Sequence, residues 1–209
     1  MEQRATTPTP ALPRQRGRGN DEPSPAGGGG LGGGGPTARS SALHTPRTIT
    51  TARLSLLPPG PEHLPELIRL KADGRVFGLM LHGVRTPDRT REELEDDIEF
   101  WRVRGYGTWS VFERATGDFL GIAGLMERPD GRGVALRFAL WPECRGRGYA
   151  REAAAAALEF GHRAGLRRII AVAWVENLAS RLVLQDIGMT ECDAFDHRGR
   201  RMLVYESVR

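Results

Sequence analysis

Residues 138–150 read Phe-Ala-Leu-Trp-Pro-Glu-Cys-Arg-Gly-Arg-Gly-Tyr-Ala, the pattern of a strand, a tight turn and the start of a helix. Gly146 and Gly148 let the backbone turn sharply and leave no Cβ in the way of a ligand. Successive N–H groups of the turn, with the free N–H groups of the first helical turn, converge on one place. Such a cradle suits an anion, a pyrophosphate in particular. Arg145 and Arg147 stand ready to add charge-assisted bonds. Two nucleotide motifs fail at this turn. A P-loop needs Gly-Lys-Ser/Thr, which is missing, and the dinucleotide fingerprint needs a third glycine where Arg151 stands. That fingerprint also wants an acid further on, where this chain has Arg167 and Arg168. The competing reading is a surface turn in a chain rich in both glycine and arginine.

Other chemistry-bearing residues are scattered. His44, His63, His82, His162 and His197 show no paired spacing for a metal, and Cys144 and Cys192 make neither a metal motif nor a disulfide framework. No metal is expected. Cys144 borders the cradle, where arginines lower a thiol pKa, although an inert filler is the simpler reading. Trp101, Trp109, Trp141 and Trp174 are expected in the core or lining a pocket.

The elements around the turn follow from periodicity. Ile49 to Leu57 reads as a strand, stopped by Pro58-Pro59-Gly60. A helix opens at Pro61 with Leu64, Leu67, Ile68 and Lys71 along one face, ending near Asp73-Gly74. Val76 to Val84 has no clear period. Thr90 and Glu93 have the spacing of a capping box, with Leu94, Ile98, Phe100 and Trp101 as the apolar side of the next helix. Strands over Thr108–Glu113, Phe119–Met126 and Val134–Leu140 are joined by turns, an antiparallel meander. Tyr149 to Ala164 is a helix with Ala150, Ala153, Ala154, Ala157 and Leu158 as its stripe, and Gly165 stops it. Arg168 to Trp174 reads as a buried strand parallel to the one before the helix. Asn177–Asp186 is a helix and Met202–Ser207 a last strand. The class is α+β, one mixed, mostly antiparallel sheet with helices on both faces.

The first 47 residues differ in kind. Pro8, Pro10, Pro13, Pro23, Pro25, Pro36 and Pro46, with glycine runs over 27–30 and 32–35, leave almost nothing apolar to bury. Such a stretch cannot offset the entropy of ordering its backbone, so residues 1–47 read as a disordered tail and 48–209 as one domain. The net charge of +4 and pI near 9.7 point towards nucleic acid only until the charges are located. The tail's six arginines against three acids carry +3 of that total. Lys71 is the sole lysine, a skew typical of codon bias, and nucleic-acid binding through the Arg/Gly tail ranks as a rival reading. No signal peptide or membrane span is recognisable, and a cytoplasmic setting is expected.

Together these features resemble the GNAT acetyltransferase superfamily, and its RimJ/RimL-like branch of ribosomal-protein N-terminal acetyltransferases in particular. The family signature Arg/Gln-x-x-Gly-x-Gly/Ala matches Arg145-Gly146-Arg147-Gly148-Tyr149-Ala150, and an Asn-x-x-Ser matches Asn177-Leu178-Ala179-Ser180. Residues 51–56 are similar to the family's first strand and 105–111 to its second, and Ile187-Gly188-Met189 stands where Leu-Gly-Phe is usual. The resemblance runs from about Thr50 to Ser207.

It implies a GNAT fold whose sheet holds a splayed parallel strand pair, with acetyl-CoA as donor and no metal. Backbone groups of Phe138, Ala139 and Leu140 would bond the pantetheine arm, and Arg145, Gly146, Arg147, Gly148, Tyr149 and Ala150 would hold the pyrophosphate. Asn177 would bond the arm and Ser180 would sit near the sulfur. The acceptor would be a primary amine, with a protein or peptide N-terminus favoured over a small amine. Its pocket would come from Val76–Asp88, including His82, and from a loop over Asp193–Arg200. Relatives place a Tyr acid where Leu184 stands, leaving Ser180 as the candidate acid. They often place a Glu base two or three residues before the Phe, where this chain has Ala135 and Leu136, so Glu127 becomes the candidate base. These departures keep a non-catalytic acyl-CoA sensor as a rival. A homo-oligomer is compatible with the sequence.

Overall fold

The computed structural model describes residues 47–209 apart from Leu79 and Leu81; the tail expected over 1–47 lies outside the described residues except for Arg47. In chain order the strands are β1 (Ile49–Thr50), β2 (Leu54–Leu57), β3 (Thr108–Glu113), β4 (Phe119–Glu127), β5 (Val134–Leu140), β6 (Arg168–Trp174), β7 (Thr190–His197) and β8 (Arg200–Val208). The helices are α1 (Leu64–Ala72), α2 (Gly74–Phe77), α3 (Pro87–Arg104), α4 (Tyr149–Arg163) and α5 (Leu178–Asp186). All the strands join one sheet in the order β1-β2-β3-β4-β5-β6-β8-β7, and every neighbouring pair is antiparallel except β5–β6. The α+β class with one parallel pair is as the sequence implies.

Period-2 alternation gives the sheet its two faces. On one, Leu136, Ile169, Ala171 and Ala173 pack with Ala153, Ala154, Ala157 and Phe160 of α4 and Leu184 of α5. Alanines along α4 let the helix lie close to the strands. On the other face, Ile122 and Ala139 pack with Leu67 and Leu70 of α1, Phe77 of α2 and Leu94 of α3. Ala135 of β5, Ile170 of β6 and Val204 of β8 form a smaller cluster. Trp101 and Trp109 meet edge to face at 4.8 Å, and Trp109 meets Phe160 at 5.0 Å. The Trp101 indole also donates to the Thr108 carbonyl at 2.7 Å, tying α3 to the start of β3.

Some boundaries differ from expectation, each for a physical reason. The first strand is broken into β1 and β2, which fold back on each other with Ile49 opposite Leu56. Helix α3 starts a turn earlier, because Pro87 supplies a preset first residue and the Thr86 hydroxyl caps Arg89. Thr90 is therefore inside the helix and fully buried, and Glu93 belongs to an ion-pair cluster rather than a capping box. Ile98 is 37% exposed, while Asp97 turns inward beside Arg137. The expected loop over Asp193–Arg200 is a hairpin between β7 and β8 instead. Strand β7 hides from a periodicity reading because it is an edge strand, exposed at most positions and polar along most of its length.

Trp101 joins packing and a buried hydrogen bond in one side chain. Trp101→Ala is expected to lower unfolding free energy by about 3–5 kcal/mol, read as the shift in urea midpoint at unchanged slope.

Candidate active site

Between β5 and β6 the ladder is short. Their one matched pair is Ala135 with Ile170, whereas β5 stays paired to β4 from Val134 through Leu140. Strand β6 likewise stays paired to β8 along its whole length. From Leu136 to Leu140, then, the edge of β5 that faces β6 carries no ladder. Phe138, Ala139 and Leu140 line this opening from the β5 side.

The opening leads straight into the turn. Trp141 N–H bonds the Leu120 carbonyl, a short 3-10 turn covers Pro142–Cys144, and Gly146 and Gly148 take φ of +71° and +75°. Gly148 is the cap residue of α4, with no side-chain cap, and the first helical bond runs from Glu152 N–H to the Gly148 carbonyl. Among the described residues, the N–H groups of residues 146–151 donate to no protein acceptor. A Cβ built on Gly146 would meet nothing within 4 Å. The turn is thus an array of unspent donors at a helix N-terminus, open to a ligand.

Its shape is held by charges around it. Arg53 donates to the Arg147 carbonyl at 2.8 Å and forms a forked pair with Glu152, with Nε at 2.7 Å. Glu152 also accepts from Thr51 Oγ1 at 2.6 Å and from the Arg53 N–H at 2.9 Å. Arg53 and Arg147 each lie 4.7 Å from the Tyr149 ring centre, and Glu113 accepts from both Arg147 and the Tyr149 hydroxyl. Two expected pyrophosphate contacts therefore have other engagements: Arg147 pairs with Glu113 at 3.2 Å, and Arg145 reaches the Arg75 carbonyl at 3.4 Å. Arg53, the residue that grips the turn, was hidden from sequence reasoning because it sits nearly a hundred positions away in the chain. Cys144 is buried, and that burial pushes its thiol up despite Arg147, so it is not an activated cysteine.

Asn177 caps α5, its Oδ1 accepting from Ser180 N–H at 3.2 Å. Ser180 is half-buried, and among the described residues its hydroxyl has no hydrogen-bond partner. Leu184, in the position where relatives carry a Tyr, is buried in the core. Glu127 stands apart from these groups. It pairs opposite Val134, beyond the Ala135–Ile170 contact, and its carboxylate takes Arg104 at 2.9 Å. Six residues of strand separate Val134 from Leu140, roughly 20 Å.

The α1–α3 side holds a charge cluster that sequence reasoning missed. Lys71, only 1% exposed, donates to Glu93 at 2.9 Å, and Arg85 donates to the same carboxylate. Burial raises Glu93, but Lys71 and Arg85 outweigh it and hold the carboxyl below its ordinary value. Burial likewise lowers Lys71, against the pull of Asp97 and Glu93. On β5, Arg137 donates to Thr108 Oγ1 at 2.8 Å and lies 3.6 Å from Asp97. His82, exposed and in the left-handed region, shares an open depression with Val84, Arg85, Thr86 and Arg89.

Comparison with known proteins agrees with this layout. The family model described as "Acetyltransferase (GNAT) domain" matches residues 53–190. The FsC-acetyl coenzyme A-N(2)-transacetylase of Aspergillus fumigatus is 29% identical over 163 residues, 71% of this chain and 67% of that protein. Among solved structures, an acetyltransferase from Agrobacterium tumefaciens superposes with a TM-score of 0.66 at 25% identity, covering 78% of this chain and 94% of that one. A RimL ribosomal L7/L12 alpha-N-protein acetyltransferase in complex with coenzyme A gives 0.65 at 19% identity, covering 77% and 97%. At that identity the likeness is one of fold.

Glu152 carries a prediction. Burial raises its carboxyl, but bonds from Thr51 and Arg53 outweigh this and hold it below the ordinary value. A depressed folded-state pKa gives stability that is present at neutral pH and lost as pH falls through that value. Glu152→Gln should therefore destabilise the domain by about 1.5–3 kcal/mol at pH 7, and the gap to wild type should close in acid. Thermal unfolding across pH measures both.

Proposed function

Because the chain belongs to the GNAT acetyltransferase family and is thus an acyltransferase using acetyl-CoA, we propose that it acetylates a primary amine, with a protein or peptide N-terminus as favoured acceptor. Residues 48–209 carry the activity in this reading, and residues 1–47 stay outside it. The observation that supports it most is the unpaired β5 edge running into a turn of unspent N–H groups.

The donor's pantetheine arm would add to the β5 edge at Phe138, Ala139 and Leu140 as an extra strand adds to a sheet. Its pyrophosphate would take the N–H groups over residues 146–151, with Gly146, Gly148, Tyr149 and Ala150 shaping the turn. Arg145 and Arg147 would supply charge at the rim, Arg147 by sharing itself between Glu113 and the phosphate. Asn177 keeps its Nδ2 for the arm while Oδ1 caps the helix.

The reaction is direct attack. A neutral amine forms a bond to the acyl carbon, the carbonyl electrons move onto oxygen, and collapse expels the thiolate. A strand N–H stabilises the oxyanion, and holding both reactants together supplies much of the rate. Ser180, with no protein partner for its hydroxyl, would give the thiolate its proton. The acceptor preference rests on the likeness of fold to the RimL protein, a ribosomal L7/L12 alpha-N-protein acetyltransferase.

Acetyl-CoA at about 100 times its dissociation constant is expected to add about 2.7 kcal/mol, roughly 5–10 °C in Tm, with no shift from NAD or ATP. No shift with any of the three would overturn the donor assignment. Ser180→Ala should keep that acetyl-CoA shift and lower kcat by about 10²-fold in steady-state transfer to peptides with free N-terminal Ser or Ala. Undiminished kcat would remove Ser180 from the chemistry.

A further inference from the structure

Strands β6, β8 and β7 carry the sheet past the opening, and their side chains on the face away from α4 form an apolar strip. Trp174 of β6 is matched with Met202 of β8, and Met202 with Phe195 of β7, so these side chains stand in one row across the sheet. Val172 and Val204 form the row beneath. Below them stands Ile170, where β5 and β6 still touch. The cluster that holds Ile170, Val172, Val204 and Phe195 contains no helical residue. Trp174, Met202 and Phe195 remain half-buried, a floor that nothing helical roofs.

A guanidinium lies on the aromatic ring at each end of that row. Arg132, from the turn between β4 and β5, sits 4.2 Å from the Phe195 ring centre, and Arg200, at the start of β8, sits 4.8 Å from the Trp174 ring centre. Their engagements differ. Arg132 is neutralised by Asp193 at 3.1 Å and also approaches Asp130 at 3.6 Å. Among the described residues Arg200 has neither an acidic partner nor a hydrogen bond, and the same holds for Arg198 in the hairpin turn. Most arginines of this domain are spent on carboxylates or carbonyls, as Arg53, Arg128 and Arg181 are. On the opposite face of the same hairpin, Arg201 is matched by Asp196 at 3.5 Å. The excess positive charge therefore belongs to the turn and to the face of Trp174. A guanidinium laid flat on a ring keeps its in-plane N–H donors directed outward, the geometry that takes a carboxylate in a fork.

This cation stands beside the opening. Counting up from the Ala135–Ile170 pair, Val172 comes level with Arg137 and Trp174 with Ala139. Trp174 is thus on the β6 lip of the opening, and Arg200 lies just past the end of that strand, where the Val175 N–H bonds the Arg201 carbonyl. The two-glycine turn leads into α4, which packs on the other face of the sheet. A donor anchored at that turn leaves the face of Trp174 for the acceptor.

Resting on the acetyltransferase reading above, we propose that Arg200, held on Trp174 and assisted by Arg198, selects the acceptor by a carboxylate: the substrate is a polypeptide whose N-terminal segment is acidic. The segment lies extended along the β6 lip with its amine towards the bottom of the opening and its apolar groups on Val172 and Met202. Ile170 to Trp174 is four residues of strand, roughly 13 Å, so the carboxylate belongs a few residues from the amine. A free amino acid carries the same group one carbon from its amine and cannot span that distance. Arg200 touches no reacting atom; it acts on acceptor affinity, hence on KM.

Peptides beginning Ser-Ala-Asp-Glu, Ser-Ala-Asn-Gln and Ser-Ala-Lys-Lys, with free serine and free glutamate beside them, test this with acetyl-CoA as donor. Wild-type kcat/KM should favour the acidic peptide over its amide counterpart by about ten-fold, through KM, and the Lys peptide should be poorest. The preference should shrink as salt rises. Arg200→Ala should erase the ratio, Arg200→Lys should keep part of it, and both should keep the wild-type thermal shift with acetyl-CoA. Calorimetry of the same peptides on the CoA-bound protein should show the same ratio without turnover. Equal kcat/KM for the acidic and amide peptides, or a ratio unmoved in Arg200→Ala, would overturn the inference and leave the transferase reading intact. Free serine or glutamate preferred over every peptide would overturn it as well, by making the acceptor a small molecule. No acetyl-CoA shift and no transfer to any acceptor would overturn the transferase reading and this inference together. Should Arg200→Ala fail to fold, the wild-type salt series decides, and a preference indifferent to salt would sink the proposal.

Discussion

Two parallel strands that meet at one point and then part organise the rest of this molecule. Strand β5 is committed to β4 and β6 to β8, so neither edge can follow the other once their directions diverge at Ala135 and Ile170. Backbone groups left without a ladder are tolerated where solvent or a ligand reaches them. The chain then leaves β5 through a turn with two residues in the left-handed region, and enters α4 with its first N–H groups unspent. Unpaired edge, open turn and uncapped helix are consecutive consequences of one separation.

Electrostatics works in two different ways in this domain. At the turn, arginines and acids are largely exposed and act as braces, with Arg53 joining β2, the turn and α4 through Glu152. Between α1, α3 and the sheet the charges are enclosed. Lys71, Glu93, Arg85, Asp97 and Arg137 come from α1, α3, β5 and the segment between α2 and α3. Enclosed ion pairs rarely repay their desolvation compared with apolar packing. The cluster thus ties α1, α3 and β5 together by matched charge rather than by apolar packing. At the turn arginine is the fitting cation, since guanidinium groups fork, stack on Tyr149 and remain charged when partly enclosed.

The sequence was most informative where a local rule applies. Strand patterns located β3, β4 and β5 almost to the residue, a continuous apolar run located β6, and Gly146-x-Gly148 located the turn. Asn177 and Ser180 fell at the start of a helix as their spacing requires. It was least informative where polarity masked position. Strand β7 is a polar edge and reads as a loop. In the run Arg91-Glu92-Glu93-Leu94-Glu95-Asp96-Asp97 nothing marks which acids turn inward. Thr90 fits a capping box by spacing, yet Pro87 and Thr86 had already begun the helix.

What the sequence determined by itself is the α+β order of elements and the two-glycine turn, because helix periods, caps and left-handed glycines are properties of neighbouring residues. Only the tertiary structure decided where the β5–β6 ladder ends, that Arg53 braces the turn, and that Lys71 and Arg85 converge on Glu93. Each of those depends on partners from distant parts of the chain. A carboxylate is saturated or vacant according to which cations the packed fold brings within reach, and no local pattern encodes that.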